Sequence, residues 1–170
     1  MIVAVPGDAV VLLIGPSGSG KSTFAARHFA PTEVLSSDAL RAAVADDPDD
    51  QTATDAAFEL LHAILAMRLG RRRLTVVDAT NVEGWARERI LAVARRLHRP
   101  AAAIVFDLPL ATCLERNAAR ADPRPPAAIR RQHARMRASL DMLAGEGFEP
   151  IAVFTSADAI DRATVERAGA

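Results

Sequence analysis

Gly15-Pro16-Ser17-Gly18-Ser19-Gly20-Lys21-Ser22 follows the apolar run Ala9–Ile14 and precedes a helical periodicity that extends to about Phe29. The eight residues fit G-x-x-x-x-G-K-[ST], and the strand–loop–helix setting is the context that pattern needs. Glycines let the backbone curl so that successive N–H groups converge on an anion. The helix that starts near Lys21 adds its unpaired amides and its dipole. Gly15, Pro16, Ser17, Gly18, Ser19, Gly20, Lys21, Ser22 and Thr23 are therefore the candidate nucleotide-binding residues. Within that set Lys21 is expected to reach the β- and γ-phosphates and the Ser22 hydroxyl to ligate Mg²⁺.

Outward from this loop, apolar runs alternate with helical periodicities, the βαβα pattern of a parallel sheet covered by helices. The expected fold class is α/β: a P-loop fold with a parallel sheet of about five strands, flanking helices and an arginine-bearing helical lid. Short strands are predicted at Glu33–Leu35, Leu74–Val77, Ala102–Phe106 and Ile151–Phe154. Helices are predicted over Asp38–Ala45, Thr54–Leu69, Gly84–His98, Leu110–Ala119, Ala127–Ala144 and Asp158–Ala168, with Gly70 stopping the second of these. Residues 46–50 (Asp-Asp-Pro-Asp-Asp) read as a loop. No internal repeat or long linker interrupts the chain, so residues 1–170 read as one domain.

Composition narrows the class. The chain has 170 residues, half of them hydrophobic and a quarter charged, which excludes disordered and fibrous proteins. One cysteine, Cys113, excludes a disulfide framework and an all-cysteine metal site, and its apolar setting predicts a packed thiol. No apolar run approaches the roughly 20 residues of a membrane span, and the N-terminus lacks the basic region of a signal peptide. A cytoplasmic protein with no membrane association is expected.

Basic and acidic residues balance at 21 each, but unevenly along the chain. Residues 38–59 hold seven acids and one base, Arg41, whereas residues 110–140 hold seven arginines against Glu115 and Asp122. The basic segment suits a polyanionic ligand, and a solvated helix face explains the same bias. Lys21 is the only lysine, which excludes the N-K-x-D guanine-reading element of a GTPase switch. A motor of the AAA or helicase type usually needs more chain than this.

A small kinase needs a base facing the γ-phosphate and a source of positive charge over it. Asp38 opens the helix after the second strand, and strand ends in open α/β sheets line the ligand crevice. It is the candidate general base, although an aspartate at a helix start also serves as an N-cap, a job Ser37 could do instead. Arg41 is three residues on, along the same helix face, and could hold an anionic acceptor. Asp78 ends an apolar strand in the manner of a Walker B acid and is a candidate for holding Mg²⁺ through water. Arg116 and Arg120, four apart on one face, could close over the triphosphate, with Glu115 or Asp122 as their alternative partners.

The chain resembles the kinase domain of bacterial polynucleotide kinase-phosphatase, an RNA end-healing and repair enzyme. The resemblance runs through residues 15–22, Ser36-Ser37-Asp38, Ala57-Phe58-Glu59-Leu60-Leu61-His62, and Leu74-Thr75-Val76-Val77-Asp78-Ala79-Thr80-Asn81. It continues in Glu115-Arg116-Asn117 and Ile129-Arg130-Arg131-Gln132-His133. It implies an ATP- and Mg²⁺- (or Mn²⁺-) dependent 5′-hydroxyl kinase acting on RNA or DNA ends. Lys21 and Ser22 would bind triphosphate and metal, Asp38 would be the base, and Arg41 would contact the acceptor's neighbouring phosphate. Arg116 and Arg120 would form the lid clamp, while Asp78, Arg124, Arg131, Gln132 and His133 are implied only to lie near the site. Members of that family carry phosphatase and ligase-like modules beyond the kinase, so this chain would be the N-terminal module of a larger enzyme. A small-molecule kinase and a nucleotide-binding module without transfer activity are the rival readings.

Overall fold

The computed structural model describes residues 1–169. Five strands, β2 (Val10–Ile14), β3 (Val34–Ser36), β4 (Thr75–Asp78), β5 (Ala101–Phe106) and β6 (Ile151–Phe154), form one sheet in the order β3-β4-β2-β5-β6. Every pairing in it is parallel. The expected five-stranded α/β architecture is therefore correct. All five residues of the central strand β2 are buried, as a parallel strand covered on both faces requires. Val11 and Leu13 face one core cluster and Val10, Leu12 and Ile14 the other.

The first cluster lies under α1 (Lys21–His28) and includes an aromatic nest. The Phe24 ring sits 5.4 Å from Phe106 and 5.7 Å from Phe154, centroid to centroid, which packs α1 against the neighbouring strands β5 and β6. The second cluster takes Leu61, Leu65 and Leu69 from α3 (Thr54–Gly70) and Ile90, Leu91 and Ala94 from α4 (Gly84–Arg96). The remaining helices are α2 (Ser37–Ala45), α5 (Leu110–Ala118), α6 (Pro126–Ser139), α7 (Leu143–Glu146) and α8 (Ala157–Asp161).

Three expectations are corrected. The last helix does not continue to Ala168: α8 ends at Asp161 and a strand, β7 (Thr164–Ala168), follows. This strand pairs in parallel with β1 (Ile2–Pro6), a strand with no counterpart among those predicted, and Val3 and Val5 drive the small sheet into the first core cluster. The predicted helix 127–144 is broken into α6, a 3-10 turn at Leu140–Met142 and α7. Finally, Gly70 is helical, and the turn that stops α3 is at Arg72, with φ 56°. There the Arg72 N–H bonds to Leu69 O and the Arg73 N–H to Arg68 O, a Schellman ending built on arginine where glycine is usual. The helix α4 ends the same way at His98, with φ 52°.

Candidate active site

The carboxyl ends of β2, β3 and β4 open into a cleft of about 820 Å³. Ser17, Gly18, Gly20, Lys21, Ser22 and Thr23 line it from the loop and the start of α1, while Gly15, Pro16 and Ser19 shape the loop from within. Gly18 and Gly20 have φ of 80° and 98°. A Cβ on Gly18 would fall 2.2 Å from the Cys113 carbonyl oxygen, so α5 and the loop approach as closely as backbones can. The Cys113 thiol is buried as expected, and burial raises its pKa.

The string at 78–81 explains itself once the base of this loop is seen. The Gly15 N–H donates to Thr80 O at 2.9 Å, and the Asn81 amide donates to Leu13 O at 2.8 Å. Asn81 lies in the left-handed region (φ 49°), which a short amide side chain tolerates. Its carbonyl in turn accepts from Arg87, a fully buried guanidinium bound twice by Glu146 at 2.7 and 2.5 Å. The 78–81 segment is thus the abutment on which the loop rests. Arg87 belongs to this framework, so α4 contributes a buried charge to the base of the site.

Lys21 Nζ donates to Pro16 O at 2.9 Å, folding the ammonium over the loop. Its burial pushes the pKa down to about 8, with Asp78, Cys113 and Asp38 pulling the other way. Asp78 is likewise buried and its pKa is raised by desolvation, with the neighbouring Ser22 hydroxyl and Lys21 opposing. Ser22 and Asp78 both line the cleft beside the loop. Among the described residues no cluster of three His, Cys, Asp or Glu side chains could hold a metal. The hydroxyl and the single carboxylate fit a hard cation that keeps several waters and takes phosphate oxygens as further ligands, which is the habit of Mg²⁺.

Asp38 lies across the cleft from Lys21, half-buried. It does not cap α2, and neither does Ser37: the Ser36 hydroxyl accepts from the Ala39 N–H at 3.3 Å, leaving Asp38 available. Arg41 shares the helix face of Asp38 as expected, but it is paired with Asp38 itself and is buried, with Nε donating to Pro48 O at 2.7 Å. Arg124 approaches from the other side, donating to Asp38 Oδ2 at 3.4 Å and pairing with Asp49. Asp49 shares a hydrogen bond with Asp122, which raises its pKa.

Arg116 and Arg120 line the cleft as expected, but not from one helix face, because α5 ends at Ala118 and Arg120 lies beyond it. Both are exposed and neither is paired with Glu115 or Asp122. The loop that carries Arg120 and Arg124 is pinned by Asn117. That buried amide donates to Arg124 O at 2.9 Å and accepts from Arg124 N at 3.0 Å. Gln132 also belongs to the site, its Oε1 accepting the Ser17 N–H at 2.9 Å, and Arg131 lines the cleft. His133 does not line it and bonds Leu108 O at 3.0 Å. Asp49, Gln51, Thr54 and Phe58 line the cleft and were not anticipated as site residues. The acidic run at 46–50 reads as solvated loop because its proximity to the lid is a tertiary fact.

A parallel sheet with a glycine-rich loop leaving its central strand, a lone lysine within it and an acid facing it defines a P-loop fold of the kinase type. The chain belongs to the AAA domain family, whose profile matches residues 10–143. No curated protein matches the chain. Among solved structures, a chain of the Pnkp1/Rnl/Hen1 RNA repair complex superposes with TM-score 0.69 at 22% identity, covering 82% of this chain and 47% of that one. The chain therefore spans about half the length of that neighbour. The Mycobacterium tuberculosis APS kinase CysC, solved with AMPPNP and APS, has TM-score 0.58 and 21% identity, covering 92% and 93% of the two chains. A gluconokinase from Sinorhizobium meliloti 1021 has TM-score 0.57 and 17% identity, covering 92% and 87%. These likenesses establish the fold. No helix of the described residues is long and apolar enough to cross a membrane.

Proposed function

We propose that this domain is an ATP-dependent kinase that transfers the γ-phosphate to the 5′-hydroxyl of RNA or DNA ends, as the N-terminal module of a larger repair enzyme. The observation that carries the reading is the position of Asp38, facing Lys21 across one cleft and held between Arg41 and Arg124. Asp38 accepts the proton of the attacking hydroxyl, whose oxygen forms the new bond to the γ-phosphorus as the bond to the β-phosphate's bridging oxygen breaks. Lys21, Arg116 and Arg120 stabilise the charge that develops on the transferring group. Ser22, with Asp78 through water, would hold a Mg²⁺ or Mn²⁺ ion, which when bound offsets charge on the β- and γ-phosphates.

The arginines around Asp38 favour an anionic acceptor. Both carboxylate oxygens of Asp38 are engaged, one by Arg41 and one by Arg124. A phosphate beside the acceptor hydroxyl gives Arg41 and Arg124 another partner and frees the carboxylate. An uncharged sugar or nucleoside gives them none.

The test is transfer of labelled γ-phosphate from ATP to a short 5′-hydroxyl oligonucleotide, with Asp38→Ala alongside. Labelled product from the wild type and a loss of at least about a hundredfold in the variant are expected. Wild-type turnover by Asp38→Ala overturns the role of the base. Failure to label any RNA or DNA end moves the reading to small-molecule acceptors, and a flat result across all acceptors leaves a nucleotide-binding module.

A further inference from the structure

A second cleft, of about 360 Å³, lies at the other end of the sheet. It is bounded by Gly7, Thr32, Glu33 and Leu74, which precede the amino ends of β2, β3 and β4, whereas the phosphate loop leaves a carboxyl end. Its charge is supplied by four arginines from two separate parts of the chain: Arg68, Arg72 and Arg73 at the end of α3, and Arg167 on β7. Arg68 is fixed in place, with Nη2 donating to Leu74 O at 2.8 Å and Nε to Thr75 Oγ1 at 3.1 Å, both protein acceptors without charge. Arg73 has no carboxylate partner among the described residues. Two acids answer this group. Glu33 pairs with Arg167 at 2.6 Å, and Asp8 is shared between Arg72 at 3.3 Å and Arg99 at 2.5 Å. Of the cleft's four arginines, two therefore pair with a carboxylate, and one of those carboxylates, Asp8, is shared with Arg99 outside the cleft.

A basic helix end can be explained by the dipole of α3 alone. Two features go beyond that. Arg167 comes from the small sheet and owes nothing to α3. Arg72 occupies the left-handed turn, where glycine would be unstrained and arginine is not. The fold keeps a guanidinium at a position where its backbone is a disadvantage, and that side chain lines the cleft.

The geometry points to a second anion site, distinct from the kinase cleft, that takes phosphate groups through the forked donors of Arg68, Arg72, Arg73 and Arg167. Guanidinium forks match phosphate oxygens two at a time, and Arg68, held by its Nε and Nη2, keeps Nη1 for a ligand and loses little freedom on binding. The phosphates can belong to a nucleic-acid strand or to a small phospho-anion; the chemistry of recognition is the same. The site stands independently of the kinase reading.

Calorimetric titration with inorganic pyrophosphate at low salt tests it by stoichiometry. The wild type should bind a second equivalent beyond that taken by the phosphate loop. Lys21→Ala should lose the loop's equivalent and keep the other. The double variant Arg72→Gly/Arg73→Gln should do the reverse, its second-site affinity falling about a hundredfold if each arginine contributes about tenfold. Since Arg72→Gly relieves a strained turn and leaves Asp8 with Arg99, the double variant should melt no lower than wild type. Its transfer activity on a dinucleotide should also be unchanged, so a failed second site and a failed kinase reading give different results. A single equivalent in the wild type, lost entirely with Lys21→Ala, overturns the proposal. A 5′-phosphorylated 12-mer RNA identifies the source of the phosphate. A nucleic-acid ligand predicts that the slope of log K against log salt shrinks by about 1.4 in the double variant. An unchanged slope with the pyrophosphate equivalent lost assigns the site to a small phospho-anion.

Discussion

At the scale of single residues, Lys21 carries an ammonium that the fold half rejects. Its folded pKa, about 8, lies below the ordinary 10.5 of a free lysine. Between those values the unfolded chain binds more protons than the folded one, so stability rises with pH across that window. The gain should be of the order of 3 kcal/mol at most, and Lys21→Met should remove it; denaturant titrations at pH 7.5, 9 and 10.5 measure both. An incoming triphosphate reverses the balance by favouring the charged amine. Nucleotide binding at pH 8 should therefore take up a fraction of a proton, visible as a dependence of binding enthalpy on buffer. Gly18 is the least replaceable position of the loop. Gly18→Ala puts a methyl group into the Cys113 carbonyl at φ 80°, so the loop must move. Nucleotide affinity should fall by at least tenfold, as read by calorimetry.

At the scale of elements, the lid is held by Asn117, and its contribution is separable from that of the arginines. Asn117→Ala removes both bonds to the Arg124 backbone and should cost about 1–3 kcal/mol of stability. With Arg124 no longer positioned, KM for the acceptor should rise more than kcat falls in a steady-state transfer assay. The framework beneath the phosphate loop is stiffer still. Arg87→Ala strands Glu146 and the Asn81 carbonyl and should cost roughly 3–5 kcal/mol, measured as a shift in the denaturation midpoint. What could be read beforehand follows the same division. The loop, β2, β4 and β6 announce themselves through apolar runs bounded by turn residues. The stretch Thr164–Ala168, with Glu166 and Arg167 in it, carries no such run. It is a strand only because Ile2–Pro6 lies beside it, a pairing across the whole chain that no local pattern encodes. Asp38 and Lys21 were legible from motif and strand end. Arg124 was legible only as a neighbour, since its grip on Asp38 and Asp49 depends on how the lid folds back.

At the scale of the whole molecule, arginine gathers at both ends of the sheet. At the carboxyl ends Asp49 of the acidic loop reaches Arg124 of the lid, and at the amino ends Glu33 and Asp8 answer only Arg167 and Arg72 of the cleft's four arginines. A protein with a formal net charge of zero thus presents two clefts in which basic residues outnumber acidic ones. Raising salt should weaken oligonucleotide binding in the double variant Arg72→Gly/Arg73→Gln less than in wild type, while transfer to a dinucleotide responds equally in both. The small sheet has another effect on the molecule. Because β1 and β7 run parallel, with Ile2 opposite Thr164 and Pro6 opposite Ala168, a pull applied through Ile2 and Ala168 acts at opposite ends of their ladder. The hydrogen bonds between the two strands are then loaded together, in shear, and cannot be peeled apart one by one. Tension along the polypeptide meets a mechanical clamp before it reaches the nucleotide cleft.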